Sequence, residues 1–175
     1  MAIYYSDGSN STSGRVIQLV HSTDTGHFST TSSSYTQFQS LNITPKDSNS
    51  KILLTSYFCS NFGDSNRFAY LRLVRNSTDI GLGSSAGNRQ RCLVDISTGH
   101  VGNFRVTQRP KMNMFVDTPN TTSTITYRLK VKLTNGGTLV IGRTENGDDG
   151  NRSSTVQVFT AMEAVSYTHL TLPTS

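Results

Sequence analysis

The sequence contains no tryptophan, only two cysteines and little charge. Cys59 and Cys92 are too few and too far apart in 175 residues to form the disulfide framework of a small secreted domain, so we expect buried free thiols. Charged residues make up 15% and apolar residues 34% of the chain, and much of the remainder is Ser, Thr, Asn and Gly. This composition is typical of β-strands joined by polar turns.

Long apolar runs are missing as well. No segment approaches the roughly 18 apolar residues that cross a bilayer, and the N-terminus lacks a basic region followed by an apolar stretch. We therefore expect no membrane partner and synthesis in a cytoplasm. The formal net charge is +5, but the cations are spread along most of the chain, which does not favour nucleic acid as a partner.

Helical periodicity is absent too, because no stretch repeats apolar residues at the spacing of an amphipathic helix over three turns. The clearest period is two. From Ser123 to Leu133, apolar residues alternate with Thr126, Arg128, Lys130 and Lys132, which predicts a strand with one wet face. Turn-forming residues bound the other candidate strands at 15–21, 35–43, 51–60, 67–75, 91–96, 103–107, 111–117, 138–143 and 154–165. We predict an all-β fold, an antiparallel jelly-roll sandwich of about eight to ten strands.

Two hairpins are predicted within this pattern. Strands 51–60 and 67–75 flank a short polar loop, and their successive apolar residues indicate burial on both faces. Asn135-Gly136-Gly137 supplies the positive backbone dihedrals of a tight turn between 123–133 and 138–143. Pro110 and Pro119 restrict the strand at 111–117 to an edge or place them at its ends.

The domain organisation follows from composition at the two ends. Residues 1–14 are mostly small and polar and are predicted to be an N-terminal arm or linker. Residues 15–165 are predicted to form the jelly-roll domain. Residues 166–175, Ser166 to Ser175, resemble translated sequencing-adapter read-through of the kind found in metagenomic assemblies, which implies a non-native tail.

The strand and turn residues carry a family resemblance over roughly residues 15 to 165. The residues concerned are Ile52-Leu53-Leu54, Tyr70 to Arg75 with Asp79-Ile80-Gly81, Asp117-Thr118-Pro119 ahead of Thr126 to Leu129, and Met162 to Val165. This combination resembles the tail-fibre and appendage proteins of environmental bacteriophages. Such proteins are similar in fold to the trimeric jelly rolls of the tumour necrosis factor and complement globular-head type. The resemblance implies a homotrimer located on a virion, with other virion proteins as partners.

The structural contexts of catalytic and cofactor-binding motifs are missing. No strand-to-helix elbow is predicted that would expose a serine nucleophile, and the glycine-rich segment from Gly81 to Gly87 lacks the helix and the Lys-Ser or Lys-Thr of a phosphate-binding loop. Four histidines are dispersed, one of them in the suspect tail. We therefore expect no enzyme, no catalytic residue and no cofactor. We also expect no metal site. Asp148 and Asp149 are weak calcium candidates, and a polar turn is the alternative interpretation of this segment.

Two sets of residues are candidates for binding. Arg128, Lys130 and Lys132 form a basic stripe on one strand face and are candidates for an anionic ligand, with a solvated outer face as the alternative. On the last strand, Val156, Val158 and Met162 occupy one face and Phe159 and Ala161 the other. We predict that one face fills the core and that Phe159 and Ala161 contact a neighbouring subunit.

Three functions are compatible with these observations. The leading hypothesis is a virion structural protein of a phage, a tail-fibre or appendage domain that homotrimerises and binds a host-surface carbohydrate. The second is a lectin-like adhesion module outside any phage. The third, a fibre-borne carbohydrate-degrading enzyme, requires paired carboxylates across a cleft, whereas Asp95, Asp117 and Glu163 stand isolated in the sequence.

Overall fold

The computed structural model describes residues 15–62, 67–97, 109–144 and 153–165, and within these ranges every regular element is a β-strand. The eleven strands are β1 (Arg15–Asp24), β2 (Phe28–Thr30), β3 (Thr36–Ile43), β4 (Lys51–Phe62), β5 (Ala69–Arg75), β6 (Thr78–Ile80), β7 (Val94–Asp95), β8 (Arg109–Asp117), β9 (Ile125–Leu133), β10 (Leu139–Ile141) and β11 (Gln157–Val165). Over the same ranges, no helix long and apolar enough to span a bilayer occurs. The arm at 1–14, the tail at 166–175 and the candidate strand at 103–107 lie outside the described residues.

The strands form two antiparallel sheets, so the predicted all-β sandwich is confirmed. The six-stranded sheet contains β1, β2, β4, β8, β10 and β11, and the five-stranded sheet contains β3, β5, β6, β7 and β9. In the first sheet, β11 and β10 pair with successive parts of β4, and β8 takes the opposite edge of β4. β1 pairs with β11, and β2 pairs with β10, so the sheet has four rows: β1 with β2, β11 with β10, β4, and β8. Two of these rows are each made of two separate strands, which explains why the number of strands exceeds the expected eight to ten.

The chain passes repeatedly from one sheet to the other, which corrects both predicted hairpins. β4 belongs to the six-stranded sheet and β5 to the five-stranded sheet, although they are consecutive in sequence. β9 and β10 are separated between the sheets in the same way. Gly136 and Gly137 do adopt positive φ angles, 63° and 82°. The turn chemistry was therefore predicted correctly, but it directs the chain across the sandwich rather than back along the same sheet.

A continuous hydrophobic core fills the space between the sheets. Its largest side chains that are nearly inaccessible to solvent are Tyr127, Phe58, Phe62 and Phe159. β9 has the alternation that its sequence predicts, with every second residue from Ile125 to Leu133 buried. The prediction of two-sided burial holds for only part of β4: Phe58–Phe62 are all buried, whereas alternate residues before Phe58 are half-buried.

The remaining strand predictions differ mainly in extent. β7 covers only Val94–Asp95 of the candidate strand at 91–96. The short strands β2 and β6 were not predicted. β6 follows a two-residue turn in which Asn76 takes a positive φ of 54°, so the asparagine was the available signal. Pro110 lies in β8, which pairs only with β4 in the described residues and is an edge strand as predicted.

Two buried carboxylates fasten parts of the sandwich that are distant in sequence. Glu163 of β11 is inaccessible to solvent and accepts hydrogen bonds from the Lys46 backbone N–H (2.6 Å) and the Ser50 hydroxyl (2.6 Å), which anchors the turn after β3. Asp117 of β8 accepts from the Tyr127 hydroxyl at 2.6 Å and forms an ion pair with Arg75 at 3.0 Å. Since Arg75 and Tyr127 belong to the other sheet, Asp117 links the two sheets.

Candidate functional site

The outer side of the six-stranded sheet is an exposed apolar surface. Met112, Met114 and Val116 of β8 are 81%, 71% and 52% exposed, and Leu19 of β1 is 60% exposed. Cross-strand pairing places half-buried apolar residues of β4 and β11 in the rows between them. We call this set the apolar face: Leu19, Leu53, Tyr57, Met112, Met114, Val116, Val158 and Met162.

The size of the apolar face can be judged from strand geometry. Four rows spaced about 4.8 Å apart and about five residues long, at about 3.4 Å per residue, cover on the order of 300 Å² in plan. An exposed apolar patch of about 300–600 Å² on a monomer is often functional. The outward positions of 53–57, 112–116 and 158–162 carry no charged side chain. Nothing at the centre of the face therefore repels an identical face.

The apolar face corrects the predicted subunit contacts of the last strand. Phe159 is 1% exposed and Ala161 is 0% exposed, and both belong to the core between the sheets. The outward residues of β11 are instead Val158, Thr160 and Met162. Both sets of side chains have apolar members, so alternation alone did not reveal which set points inward.

The five-stranded sheet has an outer side of a different kind. Arg128, Lys130 and Lys132 project from β9 on the side away from the core, as predicted. Arg72 of β5 is the cross-strand neighbour of Lys130 and adds a cation that the sequence did not indicate. We call these four residues the basic face. Arg72 is paired with Asp79, whereas the side chain of Lys130 makes no hydrogen bond or ion pair to the described residues.

Tyr35, which precedes β3, lies against the basic face. The guanidinium carbon of Arg72 lies 4.1 Å from the centre of the Tyr35 ring, and the Lys132 Nζ atom lies 5.0 Å from it. Burial raises the pKa of Tyr35, so its phenol remains protonated at neutral pH. The Tyr35 hydroxyl and the Arg72 Nε atom are buried without a hydrogen-bond partner in the described part of the chain. The basic face thus contains polar atoms whose hydrogen-bonding capacity is unused.

A cleft of about 450 Å³ adjoins the basic face. Its floor is built on one row of the five-stranded sheet, in which Tyr70 of β5 stands between Lys132 of β9 and Asp95 of β7. The loop before β7 forms a wall, and the Lys132 Nζ atom donates to Gln90 Oε1 of that loop at 2.8 Å. We call this the loop cleft, lined by Tyr70, Asn88, Arg89, Gln90, Cys92, Asp95 and Thr134.

Cys92 is the one thiol among the described residues that line the loop cleft. Both cysteines are free, as predicted, but only Cys59 is buried, whereas Cys92 is half-buried, so the predicted burial is wrong for Cys92. Burial, with the neighbouring charge of Asp95, raises the pKa of the Cys92 thiol. The thiol is therefore protonated at neutral pH, and the cleft lacks the lowered thiol pKa of a cysteine nucleophile.

The other polar groups do not form a catalytic arrangement in the described parts of the chain. His27 Nε2 lies 2.9 Å from Ser154 Oγ, but both side chains are exposed, and none of the described carboxylates is hydrogen-bonded to the imidazole. Asp117 and Glu163 flank Ile52 across three rows, but both are buried and hydrogen-bonded within the protein. Neither carboxylate is open to a substrate.

The structure does not test the predicted calcium candidates. Asp148 and Asp149, the weak calcium candidates, lie outside the described residues. Among the residues that are described, no group of three or more His, Cys, Asp or Glu side chains is arranged to hold a metal ion.

Comparisons with known proteins identify no family for this chain. No protein-family model matches the sequence, and no curated protein matches it. Among solved structures, the chain is similar to one in the structure of infectious bursal disease virus Gx strain, with a TM-score of 0.43 and 12% sequence identity. The similarity covers 94% of this chain and 44% of that chain, so this chain spans less than half the length of its neighbour.

Proposed function

We propose that this protein is a structural component of a bacteriophage virion, a tail-fibre or appendage domain that assembles as a homotrimer through its apolar face. The observation that carries the proposal is the exposure of Met112 and Met114, 81% and 71%, at the outer edge of a sheet whose inner side already fills the core. The phage location and the number of three chains follow from the sequence resemblance. The other virion proteins are expected as further partners.

The occupant of the apolar face is a second copy of this chain because of the chemistry of the face. Its outward centre holds Leu53, Tyr57, Val158 and Met162 without a charge, so like copies pack without repulsion. A stable interface buries about 800 Å² on each partner, more than the apolar face alone supplies. The residues around the apolar face must therefore also be buried in the interface, as they are when the faces of three chains meet at a common axis.

Light scattering of residues 1–165 tests the assembly. We expect three chains per particle, and we expect Met114→Glu to reduce the particle to one chain because a carboxylate cannot be buried unpaired in the face. Asn42→Glu, which adds the same charge at an exposed position of β3, serves as the control and should leave three chains. A wild-type monomer would contradict the trimer, and a trimer insensitive to Met114→Glu would contradict the interface.

A second function is a lectin-like adhesion module outside any phage. The observation in its favour is that the loop cleft and the basic face are formed within a single chain. If the wild-type chain is a monomer and still binds glycans, this second function replaces the first.

A further inference from the structure

We propose that the loop cleft binds an acidic sugar residue of a polysaccharide, with Arg89 as the contact to its acidic group and Tyr70 as the floor. This inference deepens the proposed function, because it gives the host-surface ligand a site and a chemical class, and it rests on that function for its biological setting. The sequence did not indicate the site, since its residues come from β5, the loop before β7, β7 itself and the residue after β9.

The volume and lining of the cleft suit a sugar. Its volume of about 450 Å³ falls in the range of roughly 300–1,000 Å³ that ligand sites occupy. Sugar hydroxyls both donate and accept hydrogen bonds. The lining offers both partners: amides from Asn88 and Gln90, a hydroxyl from Thr134 and a carboxylate from Asp95. A half-buried tyrosine, Tyr70, provides an apolar surface of the kind against which sugar rings pack.

The charge of the region selects an acidic sugar over a neutral one. Arg89 lines the cleft, and its backbone N–H and its guanidinium Nη1 atom both donate to the Ala86 carbonyl at 3.3 Å, which leaves most of its guanidinium donors for a ligand. Lys132 borders the floor, and Lys130 and Arg72 continue the positive charge across the sheet. Among the described residues of the lining, Asp95 is the only carboxylate, and it already accepts a hydrogen bond from Ser97 N–H at 2.8 Å.

The positive charge continues beyond the cleft. The Lys132 Nζ atom lies 5.0 Å from the centre of the Tyr35 ring and holds the wall of the cleft through Gln90, and Arg72 lies 4.1 Å from the same ring. An acidic polysaccharide extending from the cleft onto the basic face therefore passes over cations. Nucleic acid fits less well, because Tyr70 is the only aromatic residue among the described residues that line the cleft, whereas single-stranded nucleic acid is held by successive bases stacked on aromatic side chains.

Calorimetric titration of the full chain tests the site with three defined probes: a heparin-derived hexasaccharide, a hexamer of galacturonic acid and neutral maltohexaose. We expect one or both acidic probes to bind and maltohexaose not to bind. Arg89→Gln should weaken binding of the acidic probe about tenfold or more, since it removes a charge-assisted hydrogen bond. Arg15→Gln removes an equal charge from an exposed position of β1, in the other sheet, and should change the affinity less than about twofold.

Four results would overturn the inference. These are equal effects of Arg89→Gln and Arg15→Gln, tighter binding of single-stranded DNA than of either acidic probe, equal binding of the neutral probe, and no binding of any probe. The first would indicate unspecific attraction to the positive charge of the protein, and the second a nucleic-acid site. Because subunit number is measured separately, a chain that forms trimers but binds no probe loses the sugar site and keeps the proposed assembly. A monomer that binds an acidic probe keeps the site and loses the assembly.

Discussion

At the scale of single residues, Tyr127 has the most unusual environment for its chemistry. Its side chain is 0% exposed, and its hydroxyl donates to Asp117 Oδ2 across the sandwich. Burial, followed by the hydrogen bond to Asp117, raises the pKa of Tyr127 well above its ordinary value near 10. In the folded protein the phenol therefore keeps its proton at pH values where the unfolded chain loses it.

This difference predicts a pH dependence of stability. Below about pH 10 the folded and unfolded states hold the Tyr127 proton equally, so the stability that the raised pKa provides is fully present. Above about pH 10 the unfolded state ionises first, and the free energy of unfolding should fall by about 1.4 kcal/mol per pH unit from this group alone. In urea unfolding between pH 9 and 11.5, Tyr127→Phe should show a shallower fall than the wild type by that amount.

The same substitution has an expected effect at neutral pH. Tyr127→Phe leaves Asp117 with its Arg75 ion pair but without one donor, so we expect a loss of about 1–2 kcal/mol. Tyr70→Phe is the control for removing a phenol hydroxyl as such. Parallel pH curves for the wild type and Tyr127→Phe would show that Tyr127 does not hold its proton in the way its buried environment indicates.

At the scale of elements, the connection from β9 to β10 decides how the chain changes sheets. Gly137 has a φ of 82°, and a Cβ atom on it would lie 2.6 Å from Arg67 Nε. Gly136 has a φ of 63°, and its Cβ would have only a 3.8 Å contact with Arg67. Both positions favour glycine for their backbone, but only Gly137 is also crowded by a side chain.

We therefore expect the two glycines to differ on substitution. Gly137→Ala should lower the free energy of unfolding by about 2 kcal/mol or more, and Gly136→Ala by about 1 kcal/mol, since the latter has only the left-handed backbone cost. Chemical denaturation of both variants measures the difference. Equal losses would mean that Arg67 moves aside without cost and that the backbone conformation alone sets the requirement for glycine.

At the scale of the whole molecule, the sandwich has two outer sides with opposite chemistry. The apolar face occupies the six-stranded sheet, and the basic face with the loop cleft occupies the five-stranded sheet. The core lies between them, so no residue belongs to both surfaces. In the proposed virion component, assembly would use one side and ligand binding the other.

Assembly through the apolar face predicts a concentration-dependent thermal stability. If folded chains associate and unfolded chains do not, the melting temperature should rise as the protein concentration rises. Met114→Glu should remove this dependence while leaving the melting temperature of the separated chain close to that of the wild type at high dilution, since Met114 is exposed in the single chain. A melting temperature that is independent of concentration in the wild type would argue against association. Differential scanning calorimetry over a hundredfold range of concentration provides the measurement.

The sequence by itself determined the strand character of the chain, the alternation of β9 and the orientation of Arg128, Lys130 and Lys132. The reason is that, in a strand with a period of two and charges on one side, only the uncharged side can be buried in the core. It also determined the glycine turn after β9, since positive φ angles select glycine locally.

Only the tertiary structure decided that β4 and β5 lie in different sheets, that Phe159 and Ala161 rather than Val158 and Met162 face the core, and that Tyr70, Arg89 and Thr134 share a cleft. The physical reason is the same in each case. Where both faces of a strand are apolar, or where a site joins distant segments, local pattern leaves several arrangements equally favourable, and the long-range strand pairing selects among them.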